Sequence, residues 1–260
     1  AWGFTNTGPD VQDLYIEAVH PEDPQRYRTP SGWAAFETVE ERIAVKGGDA
    51  ITLKLRRTRH GPVISDAGTI KGLNLQEHHV LALRWTALDP DVDTVAAGLG
   101  LLQAENLEGF VRASQRWVAP MQNMVVADDA GSIGFVAAGR VPLRSPENDL
   151  RGLAPAPGWD ARYDWAGWVP AGETPRERDP ARGWIATANQ RVHDAAYPHF
   201  ITSDWSLPYR QQRIEQLLQA QPRHSMDDLA RMQADQKSLA VPRLLPGLLR
   251  AASASPLPLA

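Results

Sequence analysis

The 260-residue sequence contains no cysteine, which excludes disulfides, a thiolate nucleophile and any cysteine-ligated metal. It also lacks long apolar runs. The longest, such as Val125–Ala127 and Phe135–Ala138, fall far short of the ~20 residues that a membrane-spanning helix needs. Neither sign of charge dominates: 27 Lys and Arg against 31 Asp and Glu leave a net −4. Such a balance carries no electrostatic footprint for nucleic acid or an anionic membrane. Cofactor motifs are missing too. There is no Gly-x-Gly-x-x-Gly and no Walker loop, and Gly131-Ser132-Ile133-Gly134 lacks the glycine two residues before the serine that a nucleophile elbow requires. The seven histidines form no metal pair on a helix face; His78 and His79 are adjacent and would point to opposite sides of a strand.

What is present describes a globular protein. The apolar fraction of 43% and charged fraction of 22% sit near globular averages, and the length suffices for one large domain, or a domain with a helical appendage. Nine tryptophans and 21 prolines point to ordered loops pinned by large aromatics. The opening Ala-Trp-Gly-Phe-Thr has neither a start methionine nor the charged and apolar regions of a signal peptide, and the closing Ser-Pro-Leu-Pro-Leu-Ala is equally abrupt. Both ends read as cuts within a longer protein.

Strand patterns predict β structure at Asp13–Val19, Phe36–Val45, Ile51–Arg57 and His79–Trp85, with Gly47-Gly48 turning the second into the third. Glu37, Glu40 and Arg42 are the expected outward positions. Three- and four-residue apolar spacing predicts helices at Val92–Gln103 and Leu107–Trp117, the latter capped by Asn106. A hairpin joins Asn123–Ala127 to Ser132–Ala138 through Asp128-Asp129-Ala130-Gly131. Residues 142–182, dense in Pro, Gly and Trp, read as a long surface excursion; Trp184–Ala188 reads as a short strand. From Tyr209 the pattern is helical, with Ser225 and Asp228 spaced as a capping box. This order fits a layered α+β fold with antiparallel sheets.

Several residues admit two readings. Asp10 and Asp13 flank Gln12, which suits calcium, but they equally suit a turn cap and a solvated carboxylate. Asn189 is a turn residue or a side-chain oxyanion donor. Arg210 and Arg213 are a solvated helix face or a support for a site. Arg59-His60-Gly61-Pro62 is by itself a basic turn.

Those points fall in order on a known pattern. The stretches are Ala1-Trp-Gly-Phe-Thr-Asn-Thr-Gly-Pro-Asp-Val-Gln-Asp-Leu-Tyr15, Thr58-Arg-His-Gly-Pro62, Leu83-Arg-Trp85, Gln122-Asn-Met-Val-Val-Ala-Asp128, Gly131-Ser-Ile-Gly134, Gly139-Arg-Val-Pro142, Ile185-Ala-Thr-Ala-Asn189 and Tyr209-Arg210. Collinear over roughly positions 1–220, they make the chain resemble the β-chain of the penicillin acylase (penicillin amidase) family. The resemblance implies an N-terminal-nucleophile hydrolase, an αββα sandwich of antiparallel sheets, present here in part, with C-terminal helices. Positions 1–204 would belong to the core and 205–260 to a truncated helical segment of the same β-chain. It implies cleavage of an acyl group from an amide by an N-terminal serine freed by autoproteolysis, with that serine upstream of Ala1. Asn189 would then be the oxyanion side-chain donor, Asn6 the backbone N–H donor and Arg210 a supporting residue. No catalytic cofactor is implied, but a structural calcium at Asp10, Gln12 (through its carbonyl) and Asp13 is. In the Gly152 region, where a further carbonyl ligand would sit, the pattern aligns loosely. No acid matches clearly around His199–Ile201, where another ligand is expected, although Asp204 is close. The implied partners are an α-chain of the same precursor, the preceding part of the β-chain and a small-molecule acyl-amide; the implied compartment is periplasmic or secreted. Two rivals remain open: a non-catalytic binding or assembly module with the same fold, and an unrelated hydrolase using Asp128 or a histidine.

Overall fold

A computed structural model describes residues 1–68 and 74–254; the closing Ser-Pro-Leu-Pro-Leu-Ala lies outside them. In chain order come β1 (Trp2–Asn6), β2 (Gln12–Ala18), β3 (Arg26–Thr29), β4 (Gly32–Ala35), β5 (Glu37–Ile43), β6 (Ile51–Thr58) and β7 (Gly61–Pro62). Next are β8 (His79–Trp85), helices α1 (Thr94–Leu102) and α2 (Leu107–Ser114), and the hairpin of β9 (Gln122–Ala127) and β10 (Ile133–Ala138). β11 (Pro142–Arg144), β12 (Ala156–Pro157), β13 (Trp165–Trp168) and β14 (Arg176–Arg178) precede α3 (Tyr209–Gln219), α4 (Met226–Gln233) and α5 (Val241–Ala254). No described helix is long and apolar enough to cross a membrane. The class is α+β, as the pattern predicts.

β9 and β10 are the centre. They lie inside the antiparallel order β1-β9-β10-β14, and their consecutive apolar residues are explained by cover on both faces. Met124, Val136 and Ala138 meet Leu101 of α1 and Phe110 of α2. Phe135 and Ala137, facing the other way, pack with Met121, Val141, Val169 and Ile201. Asn106 caps α2 by accepting from the Gly109 amide at 2.9 Å, and the Ser225–Asp228 capping box forms at the start of α4.

The segment 142–182 is not a surface excursion. β12 adds in parallel to β2, which pairs antiparallel with β8, and β14 adds to β10. Asn148, Ala156, Tyr163 and Val169 within it are buried. The expected strand Trp184–Ala188 joins no ladder. Side chains hold it instead: Ile185 packs on the Met121–Phe135 cluster, Gln211 Nε2 donates to the Ala186 carbonyl at 3.2 Å, and the Thr187 and Thr5 hydroxyls meet.

β5 and β6 form a ribbon whose cross-strand pairs sort by face. Val39↔Leu55, Glu41↔Leu53 and Ile43↔Ile51 lie on one side, Thr38↔Arg56 and Glu40↔Lys54 on the other. The apolar side is uncovered: Val39, Ile43, Ile51, Leu53 and Leu55 are all exposed. Glu40 and Lys54 pair at 3.5 Å across the polar side.

The turn after β6 is more than a basic turn. The fully buried Glu17 of β2 accepts at Oε1 across 2.7 Å from His60 Nδ1, and His60 Nε2 lies 3.0 Å from Asp164 Oδ1. Arg59 grips Asp164 bidentately at 2.7 and 2.8 Å and donates to the Gly158 carbonyl. The Tyr15 ring stacks flat on His60 at 3.6 Å between centroids. One cluster therefore ties β2, the β6–β7 turn and the 156–165 stretch together. Gly61 permits the turn: its φ is +139°, and a Cβ there would lie 2.2 Å from the Leu83 carbonyl oxygen of β8.

Two outcomes are expected. Gly61→Ala should cost about 4 kcal/mol or more or abolish soluble expression, read by urea unfolding; a wild-type midpoint would contradict this apposition of β7 and β8. The second concerns Asp164. Burial raises its carboxyl, but the bonds from His60 and Arg59 outweigh burial and hold it below the ordinary 3.8. A depressed carboxyl adds stability present above its unfolded-state value and lost as pH falls through the folded one. Asp164→Asn should thus be less stable than wild type near neutrality, with the gap narrowing as pH drops below 3.8; denaturant midpoints across pH would show it, and a pH-independent gap would refute it.

Candidate functional site

β1 is an edge strand of its sheet among the described residues, paired only with β9. Antiparallel pairs alternate between hydrogen-bonded and non-bonded positions. Ala1 and Ala127 exchange both bonds, at 2.7 and 2.8 Å, and the Thr7 amide donates to the Met121 carbonyl at 3.4 Å. The intervening residues Trp2, Phe4 and Asn6 therefore turn their backbone N–H and C=O away from β9, towards the free edge.

At that edge three of the sequence-predicted residues meet. Asn189 Nδ2 donates to the Asn6 carbonyl at 2.7 Å, and Arg210, in the first turn of α3, donates from Nη2 to Asn189 Oδ1 at 2.9 Å. The arginine bond orients the amide: with Oδ1 engaged by a cation, Nδ2 is fixed as the end facing β1. Asn189 itself has φ +65°, a left-handed backbone that asparagine tolerates better than other non-glycine residues. Its carbonyl accepts from the Ser206 amide at 3.2 Å. One hydrogen of Nδ2 serves Asn6; the second leaves the amide able to donate to an incoming oxygen. Asn6 N–H and Asn189 Nδ2 are thus two donors beside the same edge.

Supporting residues escape a reading of motifs. Asn123 of β9 is fully buried; its Nδ2 reaches the Asn6 carbonyl at 3.4 Å while its Oδ1 accepts from Thr7 at 2.9 Å. The only signal in the sequence is an amide inside an apolar strand. Gln211, buried beside Arg210, anchors Ala186 as described above and also donates to Glu215 at 3.0 Å. An open cleft of about 1260 Å³ lies between β14, the 182–194 stretch and α3, with Phe135, Trp184, Ile185, Leu218 and His224 among its lining; Thr187 and Gln190 line it, whereas Asn6, Asn189 and Arg210 do not.

Asp128 has a structural task. Its carboxylate accepts from the Ser132 amide at 2.9 Å and the Leu107 amide at 3.2 Å, and these bonds hold it below the ordinary carboxylate range. It closes the β9–β10 turn and receives the start of α2.

The second predicted group, Asp10, Gln12 and Asp13, is arranged differently from expectation. Asp13 is buried on β2, whereas Gln12 is exposed and lies opposite Trp85 in the β2–β8 ladder. Between Asp10 and Asp13 sits the guanidinium of Arg144, from β11. Its Nε donates to Asp13 Oδ2 at 2.9 Å, and Nη2 is bonded to Asp13 Oδ1, to the Asp10 carbonyl at 3.2 Å and to Asp10 Oδ1 at 3.3 Å. Trp165 Nε1 adds a bond to Asp13 Oδ2 at 2.8 Å. Burial pushes the Asp10 carboxyl above its usual value against the pull of Arg144, and the Asp13 charge adds to the rise. A dication needs six to eight oxygens. Here only Asp10 Oδ2, of the four carboxylate oxygens, is buried without a partner, and the other orphan in the pocket is a donor, Arg144 Nη1. These residues do not fit a calcium ion. Among the described residues no cluster of three or more His, Asp or Glu side chains is gathered for a metal.

A family model described as Penicillin amidase covers residues 1–258. The acyl-homoserine lactone acylase QuiP of Pseudomonas aeruginosa is 34% identical over 250 residues, spanning 94% of this chain and 29% of that protein. The penicillin acylase 2 proenzyme of Pseudomonas sp. (strain SE83) is 35% identical over 251 residues, spanning 96% of this chain and 30% of that one. The solved thermostable penicillin G acylase from Alcaligenes faecalis superposes with a TM-score of 0.78 over 98% of this chain and 45% of its own, at 24% identity, a likeness of fold. The chain spans under a third of the length of the curated relatives it matches. It belongs to the penicillin amidase family.

Proposed function

We propose that this chain is part of an amidohydrolase that removes an acyl group from a small amide, of the penicillin or acyl-homoserine lactone acylase type, and that it supplies the oxyanion half of the site. The observation that carries the reading is the convergence of Asn189, held by Arg210, on Asn6 at the free edge of β1. The nucleophile in this reading is an N-terminal serine, freed by autoproteolysis, on a segment preceding Ala1. Its own α-amino group, titrating near ~8, takes the hydroxyl proton as Oγ attacks the carbonyl carbon. The tetrahedral oxyanion is met by the Asn6 N–H and Asn189 Nδ2. Collapse expels the amine, which takes the proton back from the α-ammonium, and water then releases the acid from the acyl-enzyme. The free edge of β1, with Trp2 and Phe4 exposed, is the surface this reading gives to the rest of the precursor, in a periplasmic or secreted protein.

Expressing the full-length gene tests the reading. It expects self-cleavage into two chains, a new N-terminal serine and hydrolysis of phenylacetyl- or fatty-acyl-anilides. A new N-terminus other than Ser, Thr or Cys, with no hydrolysis, would favour a non-catalytic module. In the processed enzyme, Asn189→Ala should lower kcat by about 10²–10³ with little change in KM. Arg210→Ala should lower kcat in the same sense but less, since it acts through Asn189. Equal kcat in wild type and Asn189→Ala would remove the amide from the mechanism.

A further inference from the structure

The resemblance calls for a cation from solution in the pocket between Asp10 and Asp13, and the geometry points to a different answer. We infer that the guanidinium of Arg144 is the permanent cation of this pocket, so that the protein holds these two carboxylates together without calcium. The inference concerns the fold around β2 and stands apart from the proposed acylase chemistry.

Four observations carry it. The Arg144 side chain is only 6% exposed and that of Asp13 only 4%. A buried carboxylate needs a partner, because stranding one charge is far more costly than keeping the pair. Second, the match is complete on Asp13: a bidentate fork from Arg144 plus the Trp165 indole bond engages both carboxylate oxygens. Guanidinium is suited to this, being planar, always charged and weakly hydrated. Third, the pocket is closed over the pair. A Cβ on Gly152, whose φ is +80°, would lie 2.4 Å from Asp13 Oδ1 and 2.7 Å from Arg144 Nη2, so the backbone there packs directly against both partners. Fourth, the stretch 199–201 offers no acid. It presents Phe200, whose ring centroid lies 5.9 Å from the Arg144 guanidinium carbon, a neighbour suited to a delocalised cation. Asp204 stays exposed. A charge fixed in the chain cannot be extracted, so chelators have nothing to remove.

Thermal unfolding and calorimetric calcium titration of the protein at its complete natural length test this directly. With wild type, the unfolding midpoint should be the same in EDTA and in millimolar CaCl2, and titration should give no binding heat. A rise in midpoint with calcium, or one equivalent of calcium bound at this pocket, would overturn the inference; loss of either signal on Asp13→Asn would locate it there. Arg144→Gln uncovers both carboxylates. It should melt lower than wild type, and calcium should restore part of the loss. A folded Arg144→Gln protein that melts like wild type would also sink the inference, because the pocket would then need no cation. If that variant does not fold, the wild-type comparison of EDTA with calcium still decides between the two cations. Acylase activity is not the readout, so a failed proposal on function leaves this test intact.

Discussion

Asp13 and Glu17 lie on the same face of β2 as Tyr15, and that face points inward while Leu14 and Ile16 are left half-covered. Two buried carboxylates on one strand impose more on this molecule than any apolar contact. Removing one partner of a buried ion pair costs about 3–5 kcal/mol, against about 1.5–3 kcal/mol for burying a large aliphatic side chain. Each acid must therefore be met, and each is met by a remote part of the chain. Arg144 reaches Asp13 from β11; His60, braced by Asp164 and Arg59, reaches Glu17 from the β6–β7 turn. These demands pull residues 142–182 onto the sheet and explain why that stretch is ordered.

The same logic separates what the sequence discloses from what it hides. Local signals are legible: the Asn106 cap, the Ser225–Asp228 box, the β9–β10 hairpin and the apolar run of β8 each depend on residues within one or two turns of chain. Long-range demands are not. Nothing within 142–182 announces that Arg144 must neutralise Asp13, and the Arg59-His60 pair reads as a solvated turn until Glu17 and Asp164 are placed against it. Trp184–Ala188 has strand composition but no partner to complete a ladder, so side chains decide its course. At the candidate site the residue types of Asn6, Asn189 and Arg210 are identifiable through resemblance, whereas Asn123 and Gln211 become visible only through what they bond.

The candidate site also shows how a common element is turned to special use. An edge strand ordinarily presents unpaired amides as a liability. Here the alternation of β1 aims the Asn6 group outward, and a neighbouring loop brings a side-chain amide to the same line. Asn189 needs a left-handed backbone to do so, and that conformation is held by contacts on three sides: Asn6, Ser206 and Arg210. Rigidity at this point comes from hydrogen bonds that any one substitution would loosen, rather than from depth of burial.

The β5–β6 ribbon bears on how such a chain reaches its folded state. A two-stranded hairpin is marginal in water, and β5 and β6, extended only by the two-residue β7, keep Val39, Ile43, Ile51, Leu53 and Leu55 on one open side. Until something covers that side, it is an apolar surface on which another nascent chain can stick. Covering is first order in this protein when the cover is carried by the same polypeptide, whereas mispairing rises with the square of concentration. Slow synthesis then favours the correct outcome, and the ribbon makes the yield of folded protein a contest between two rates.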